Sequence, residues 1–185
     1  RAPDYIGFHR RNIDMKKLLI LVALLCAVGT VWGQTKKDYY ESTPDSNIHV
    51  GFNAKQYSAR QFTAGAQSGD SYTPAQIDLY LKKMSNGQNI TVILRNDNGS
   101  DAPGTVICSS TTTISAATLT TSYAWYSFAF SDCTSLTQGT KYWIESSAAG
   151  TSGDNYDDWG ALYGVTTSYY HKYSGDESTW NNESE

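Results

Sequence analysis

Apolar and polar residues alternate with a period of two in four separate runs of the chain. In "QIDLYLKK", Ile77, Leu79 and Leu81 alternate with Asp78, Tyr80 and Lys82. In "NITVILR", Ile90, Val92 and Leu94 alternate with Thr91, Ile93 and Arg95. In "AWYSFAFSD", Tyr126, Phe128 and Phe130 alternate with Trp125, Ser127 and Ala129, and in "KYWIES", Tyr142 and Ile144 alternate with Lys141, Trp143 and Glu145. Successive side chains of a strand point to opposite faces, so this period predicts half-buried strands. Turn chemistry separates them: "SNGQN" at 85–89, "NDNGSDAPG" at 96–104 and "TQGT" at 137–140. No helical stripe interrupts the pattern after about residue 55, and the abundance of Thr, Tyr, Val and Ile suits strands. Short strands at regular spacing predict an all-β fold, an antiparallel β-sandwich of jelly-roll-like form.

The N-terminal part reads differently. In "MKKLLILVALLCAVGTVWGQ", two lysines precede an apolar run over 18–28, and Val31 and Gly33 take the small-residue positions of a cleavage site. This predicts a secretory signal peptide over 15–33, and hence a protein secreted or held at the cell surface. The run is too short for a membrane helix, which needs about 20 apolar residues, so no transmembrane segment is expected in the mature chain. Cys26 raises lipid attachment as an alternative, although Leu25 stands where a small residue is wanted. Residues 1–14 carry no methionine and no periodicity and read as an upstream or non-native leader. Residues 34–54 are polar and weakly patterned, the mark of a linker or N-terminal arm. The β domain is then expected over 55–185, enough chain for one sizeable core.

Charge and cysteines change with the leader removed. Of 14 basic and 18 acidic residues, five and two fall in 1–33, leaving 9 and 16 and a formal charge of −7. No basic run is present to neutralise phosphates, which argues against nucleic acid as a partner and against an anionic membrane surface. Cys108 and Cys133 remain, an even pair in an exported chain. They read as a disulfide closing a loop of roughly 25 residues, with about 3 kcal/mol of stabilisation, or alternatively as two buried thiols. Catalytic signatures are absent from the sequence: no G-x-S-x-G elbow, no H-E-x-x-H and no phosphate-cradling glycine loop. A non-enzymatic role is expected.

Two features carry candidate chemistry. Trp125 and Trp143 stand opposite the Tyr/Phe/Ile stripes of their strands. On neighbouring strands they would share one outer surface and offer an aromatic pair to sugar rings. Under a covering loop or arm they would be buried instead. The second feature is "SGDNYDDWGALYG" at 152–164, which reads as a loop. Its Asp154, Asn155, Asp157 and Asp158 suit a structural calcium ion, which takes six to eight oxygens. Its Tyr156 and Trp159, with Asp157, suit stacking on sugar rings and acceptance from sugar hydroxyls. A third reading is a polar loop whose side chains bond local backbone. The turn "NDNGSDAPG" is a hairpin connection, with calcium as a weaker alternative.

The run "QFTAG…YTPAQIDLYLKKMSNGQNITVILRNDNGSDAPGTVI…SYAWYSFAFSDCTSLTQGTKYWIESS…NYDDWG…YYHKYSGDESTW" resembles the secreted bacterial β-sandwich domains called choice-of-anchor domains, of the R type. The resemblance covers about residues 57–180, and "SYAWYSFAFS", "GTKYW" and "SGDESTW" are its most specific pieces. Such domains are similar to galactose-binding-like jelly rolls and carbohydrate-binding modules. The resemblance implies binding, adhesion or display and supplies no catalytic residues. Those domains usually continue into another strand, whereas this chain stops at "NNESE". A C-terminal truncation is expected, or else a missing strand that a second subunit supplies. The function expected is a binding or adhesion module for a polysaccharide, glycan or other extracellular surface. The alternative is a structural subunit of a layer, fibre or matrix that acts through self-assembly or contact with a host or cell-surface protein.

Overall fold

The computed structural model describes residues 46–50, 56–148, 155–161 and 171–182. The elements are β1 (Ser46–Val50), β2 (Tyr57–Thr63), β3 (Gln76–Ser85), β4 (Ile90–Asp97), β5 (Pro103–Ser109), β6 (Ala124–Ala129), β7 (Lys141–Ala148), β8 (Asn155–Ala161), β9 (His171–Ser174) and β10 (Asn181–Asn182). The fold is all-β and antiparallel, as the alternation predicts. Each of the first eight strands pairs with the strand that completes its number to nine: β1 with β8, β2 with β7, β3 with β6 and β4 with β5. The first and third of these rungs form a four-stranded sheet of order β1-β8-β3-β6. The other two join β9 and β10 in a six-stranded sheet of order β10-β9-β2-β7-β4-β5. Successive rungs of this nested pairing fall to alternate sheets.

The four alternating runs become β3, β4, β6 and β7, and their apolar stripes meet. Leu79 and Leu81 of β3 and Phe128 of β6 share one cluster with Ile90, Val92 and Leu94 of β4 and Tyr142 and Ala148 of β7. Side chains from both sheets therefore build a single core. Each fully buried Leu, Ile, Val or Phe contributes about 1.5–3 kcal/mol relative to staying wet. Leu119 and Leu136, from connecting segments, are buried in the same cluster.

The segment expected as linker or arm over 34–54 contains one strand. Its residues Ser46–Val50 form β1, the edge strand beside β8. An edge strand has one hydrogen-bonded neighbour, so it forms without the strict apolar stripe that exposes a central strand to sequence reading. The expected leader, signal peptide and remaining arm lie outside the described residues.

Cys108 of β5 and Cys133, after β6, are bonded, with Cα atoms 5.0 Å apart and 25 positions between them in sequence. The bond ties the edge strand of the six-stranded sheet to the chain leaving the edge strand of the other. Replacing both cysteines by serine is expected to lower the unfolding free energy by about 3 kcal/mol. Urea unfolding of the oxidised protein and the double variant measures it; equal midpoints would show that the bond contributes nothing.

Candidate functional site

The outer face of the four-stranded sheet is where exposed ring chemistry gathers. Leu79 and Leu81 take the inner face of β3, so Tyr80 and Lys82 take the outer one. In the register, Tyr80 stands opposite Trp125 of β6. Their ring centroids lie 5.1 Å apart at 43°. Tyr123, just before β6, also stacks on Tyr80, at 5.1 Å and 14°. Lys82 Nζ sits 4.7 Å from the Tyr123 ring centroid. Trp125 is 57% exposed. Backbone and side-chain bonds fix the approach to β6. The Lys83 amide donates to Thr120 O at 2.7 Å, and the Thr120 amide donates to Tyr126 Oη at 2.9 Å.

Farther along the same face the side chains are polar. Asp78 stands opposite Ser127. Gln76 Nε2 donates to Asp78 Oδ1 at 2.7 Å and to Ser127 Oγ at 3.3 Å. All three residues are exposed. One sheet face thus presents an indole backed by two phenols and, beside it, a row of hydrogen-bonding groups. This is the composition that a sugar requires, since its C–H face is apolar and its edge is polar.

The outer face of the six-stranded sheet is closed by a different device. Trp143 and Glu145 lie on the side of β7 away from Tyr142 and Ile144, yet both are wholly buried. The Trp143 indole donates to Asp97 Oδ2 at 2.8 Å, and Gln61 Nε2 donates to the same oxygen at 3.1 Å. Gln61 and Lys141 also donate to Asp101 Oδ1, at 3.0 and 2.5 Å. Lys141, then Gln61, holds the Asp101 carboxyl below the usual carboxylate range. Arg95 is shared. Its Nε donates to Glu145 Oε2 at 2.5 Å, its second terminal nitrogen to Glu177 Oε2 at 2.7 Å and its first to Gly104 O at 3.1 Å. Glu177 adopts a left-handed φ of 60° in the β9–β10 turn, a conformation disfavoured by about 1–2 kcal/mol for an L-residue. Its two-sided hold on Arg95 and Tyr57 keeps it there.

The structure separates the two tryptophans that the sequence put together. Trp125 lies in β6 and Trp143 in β7, and these strands belong to different sheets. The shared outer surface that neighbouring strands would give does not form: β6 and β7 belong to different rungs of the nested pairing, and these fall to different sheets. Trp125 is wet, whereas Trp143 is locked by Asp97. The turn "NDNGSDAPG" is a hairpin connection between β4 and β5, and the oxygens of Asp97 and Asp101 hold Trp143, Gln61 and Lys141.

The acidic stretch predicted as a loop is strand over Asn155–Ala161, paired on both sides. Its backbone register sets Tyr156 opposite Met84, Asp157 opposite Lys83, Asp158 opposite Lys82 and Trp159 opposite Leu81. The side chains of Asn155–Ala161, and all of Asp154, lie outside the description. Among the described residues no three His, Cys, Asp or Glu side chains gather as metal ligands. No helix among them is long and apolar enough to cross a membrane.

Sequence reading missed Tyr80, the ring partner of Trp125, and Tyr123, which stacks on Tyr80. The signal for Tyr80 was its place on the polar stripe of β3. It missed Arg95 and Glu177 entirely, since their pairing spans 82 positions. Comparison with family models, with curated proteins and with solved structures gives no match.

Two buried groups make stability depend on pH in opposite senses. Burial pushes the Glu145 carboxyl up to about 7 despite Arg95, and its Oε1 has no partner. Burial, then the Arg60 charge, pushes the His171 imidazole down to about 4. The unfolded chain ionises Glu near 4.5, so the Glu145 contribution is full below that pH and lost as pH rises to about 7. The His171 contribution is present above 6.5 and lost as pH falls to about 4. The two offset each other in the same window. Glu145→Gln is expected to uncover the His171 slope, with stability rising from pH 4 to pH 6.5 more steeply than in the wild type. Urea midpoints across that range test this; parallel profiles for both proteins would contradict it.

Proposed function

We propose that this chain is a non-catalytic binding module, secreted or held at the cell surface, whose outer four-stranded face takes carbohydrate. The observation that carries the reading is the exposed Trp125, packed on Tyr80, which Tyr123 stacks on in turn, and followed by Asp78, Ser127 and Gln76 on the same face. Apolar surface is ordinary on proteins, but a large indole left wet within a cluster of rings is informative. The cluster stacks on the C–H face of a sugar, and the adjoining amide, carboxylate and hydroxyl take its hydroxyls. The nested pairing supports a jelly roll. The resemblance to choice-of-anchor domains points toward binding and display.

Trp125→Ala is expected to weaken retention on polysaccharide columns by about tenfold, in line with the loss of one aromatic stack. Its stability is expected to stay within about 0.5 kcal/mol of the wild type, because the side chain is on the surface. Trp143→Ala is expected to cost about 3–5 kcal/mol of stability instead. Retention unchanged in Trp125→Ala would overturn this reading. Failure of the folded protein to be retained by any polysaccharide, together with concentration-dependent self-association, would replace it with the structural-subunit role.

A further inference from the structure

Building on the carbohydrate reading of the Trp125 face, we propose that its ligand is an uncharged, solvated glycan chain, gripped through one sugar ring, and not the flat surface of a crystalline polysaccharide. A crystalline surface is planar over many sugars, so a protein meets it with rings lying side by side in one plane. The rings here are arranged otherwise. Tyr123 and Tyr80 are near-parallel at 14° with centroids 5.1 Å apart, the spacing of an offset stack. Stacked rings cover each other's faces and turn their edges outward. Trp125 is inclined 43° to Tyr80, so the three rings define no common plane. Among the described residues, the indole of Trp125 is the large aromatic surface left open, at 57% exposure.

The neighbouring groups fix the rest of the ligand. Asp78 and Ser127 stand two residues from Tyr80 and Trp125 on the same faces, about 7 Å along the strands. A chain with one sugar on Trp125 brings the hydroxyls of the next sugar over that row. Gln76 already holds Asp78 and Ser127 in place, so little ordering remains to be done on binding. Among the described side chains, Asp78 and Lys82 flank Tyr80 on one strand, one acid and one base, so no charge of a single sign gathers around the rings. Without residues 1–33 the chain carries −7, which disfavours a polyanion and leaves an uncharged partner.

The test uses the full chain in affinity electrophoresis against three kinds of probe: soluble galactomannan, xyloglucan and mixed-linkage glucan; soluble alginate and polygalacturonate; and, by pull-down, microcrystalline cellulose and chitin. The expected result is retardation by at least one soluble uncharged glycan and none by the other two classes. Trp125→Ala is expected to weaken that binding about tenfold. Trp125→Phe is expected to restore part of it, and Asp78→Ala to weaken it about fivefold. Binding to the crystalline or anionic probes that Trp125→Ala removes would overturn this inference and leave the carbohydrate reading standing. Binding to no probe, by protein shown folded through its near-ultraviolet dichroism, would overturn both.

Discussion

The structure depends on one layer of apolar side chains contributed from two sheets at once. Leu79, Leu81 and Phe128 come from one sheet and Ile90, Val92, Leu94 and Tyr142 from the other. Neither sheet can keep its inner face dry alone, so the nested pairing has to close before either is stable. The pleat then does the rest. With inner positions fixed by burial, every alternate residue is forced outward, and the two outer faces become the surfaces available for function.

Those faces are used in opposite ways. On the six-stranded sheet, Trp143 and Glu145 are outward by the pleat but dry in fact, because Asp97, Gln61, Arg95 and Glu177 close over them. The result holds the β4–β5 and β9–β10 turns against the sheet. Leaving a carboxylate oxygen of Glu145 unpaired in this setting is costly, and the proton it retains near neutral pH reduces that cost. On the four-stranded sheet, nothing of the kind among the described residues covers Trp125, Asp78 or Ser127. The same chemical ingredients, rings and carboxylates, are a lock on one side and an open surface on the other.

Much of the fold was legible from alternation alone. β3, β4, β6 and β7 are central or core-facing strands, and burial of one face imposes a strict period of two on their sequences. The other strands escaped that reading, β1 and β8 among them. β1 is an edge. β8 is internal yet carries Asp157 and Asp158 in succession, which breaks the period and imitates a loop. The candidate site was half legible. That Trp125 and Trp143 oppose the apolar stripe follows from counting residues. That one is open and the other locked depends on Asp97, 46 positions from Trp143, and on Tyr80, whose place beside Trp125 is set by strand register. Such long-range pairings leave no local mark in a sequence.

Ligand is proposed to meet the protein on Trp125 and its neighbours, which an indole and amide proton spectrum titrated with a soluble uncharged oligosaccharide tests. The Trp125 indole signal and the amides around Tyr80, Asp78 and Ser127 are expected to move together along one binding curve. The Trp143 indole, buried and bonded to Asp97, is predicted to stay in place. Shifts gathered on the six-stranded sheet, with the Trp125 signal unmoved, would contradict it.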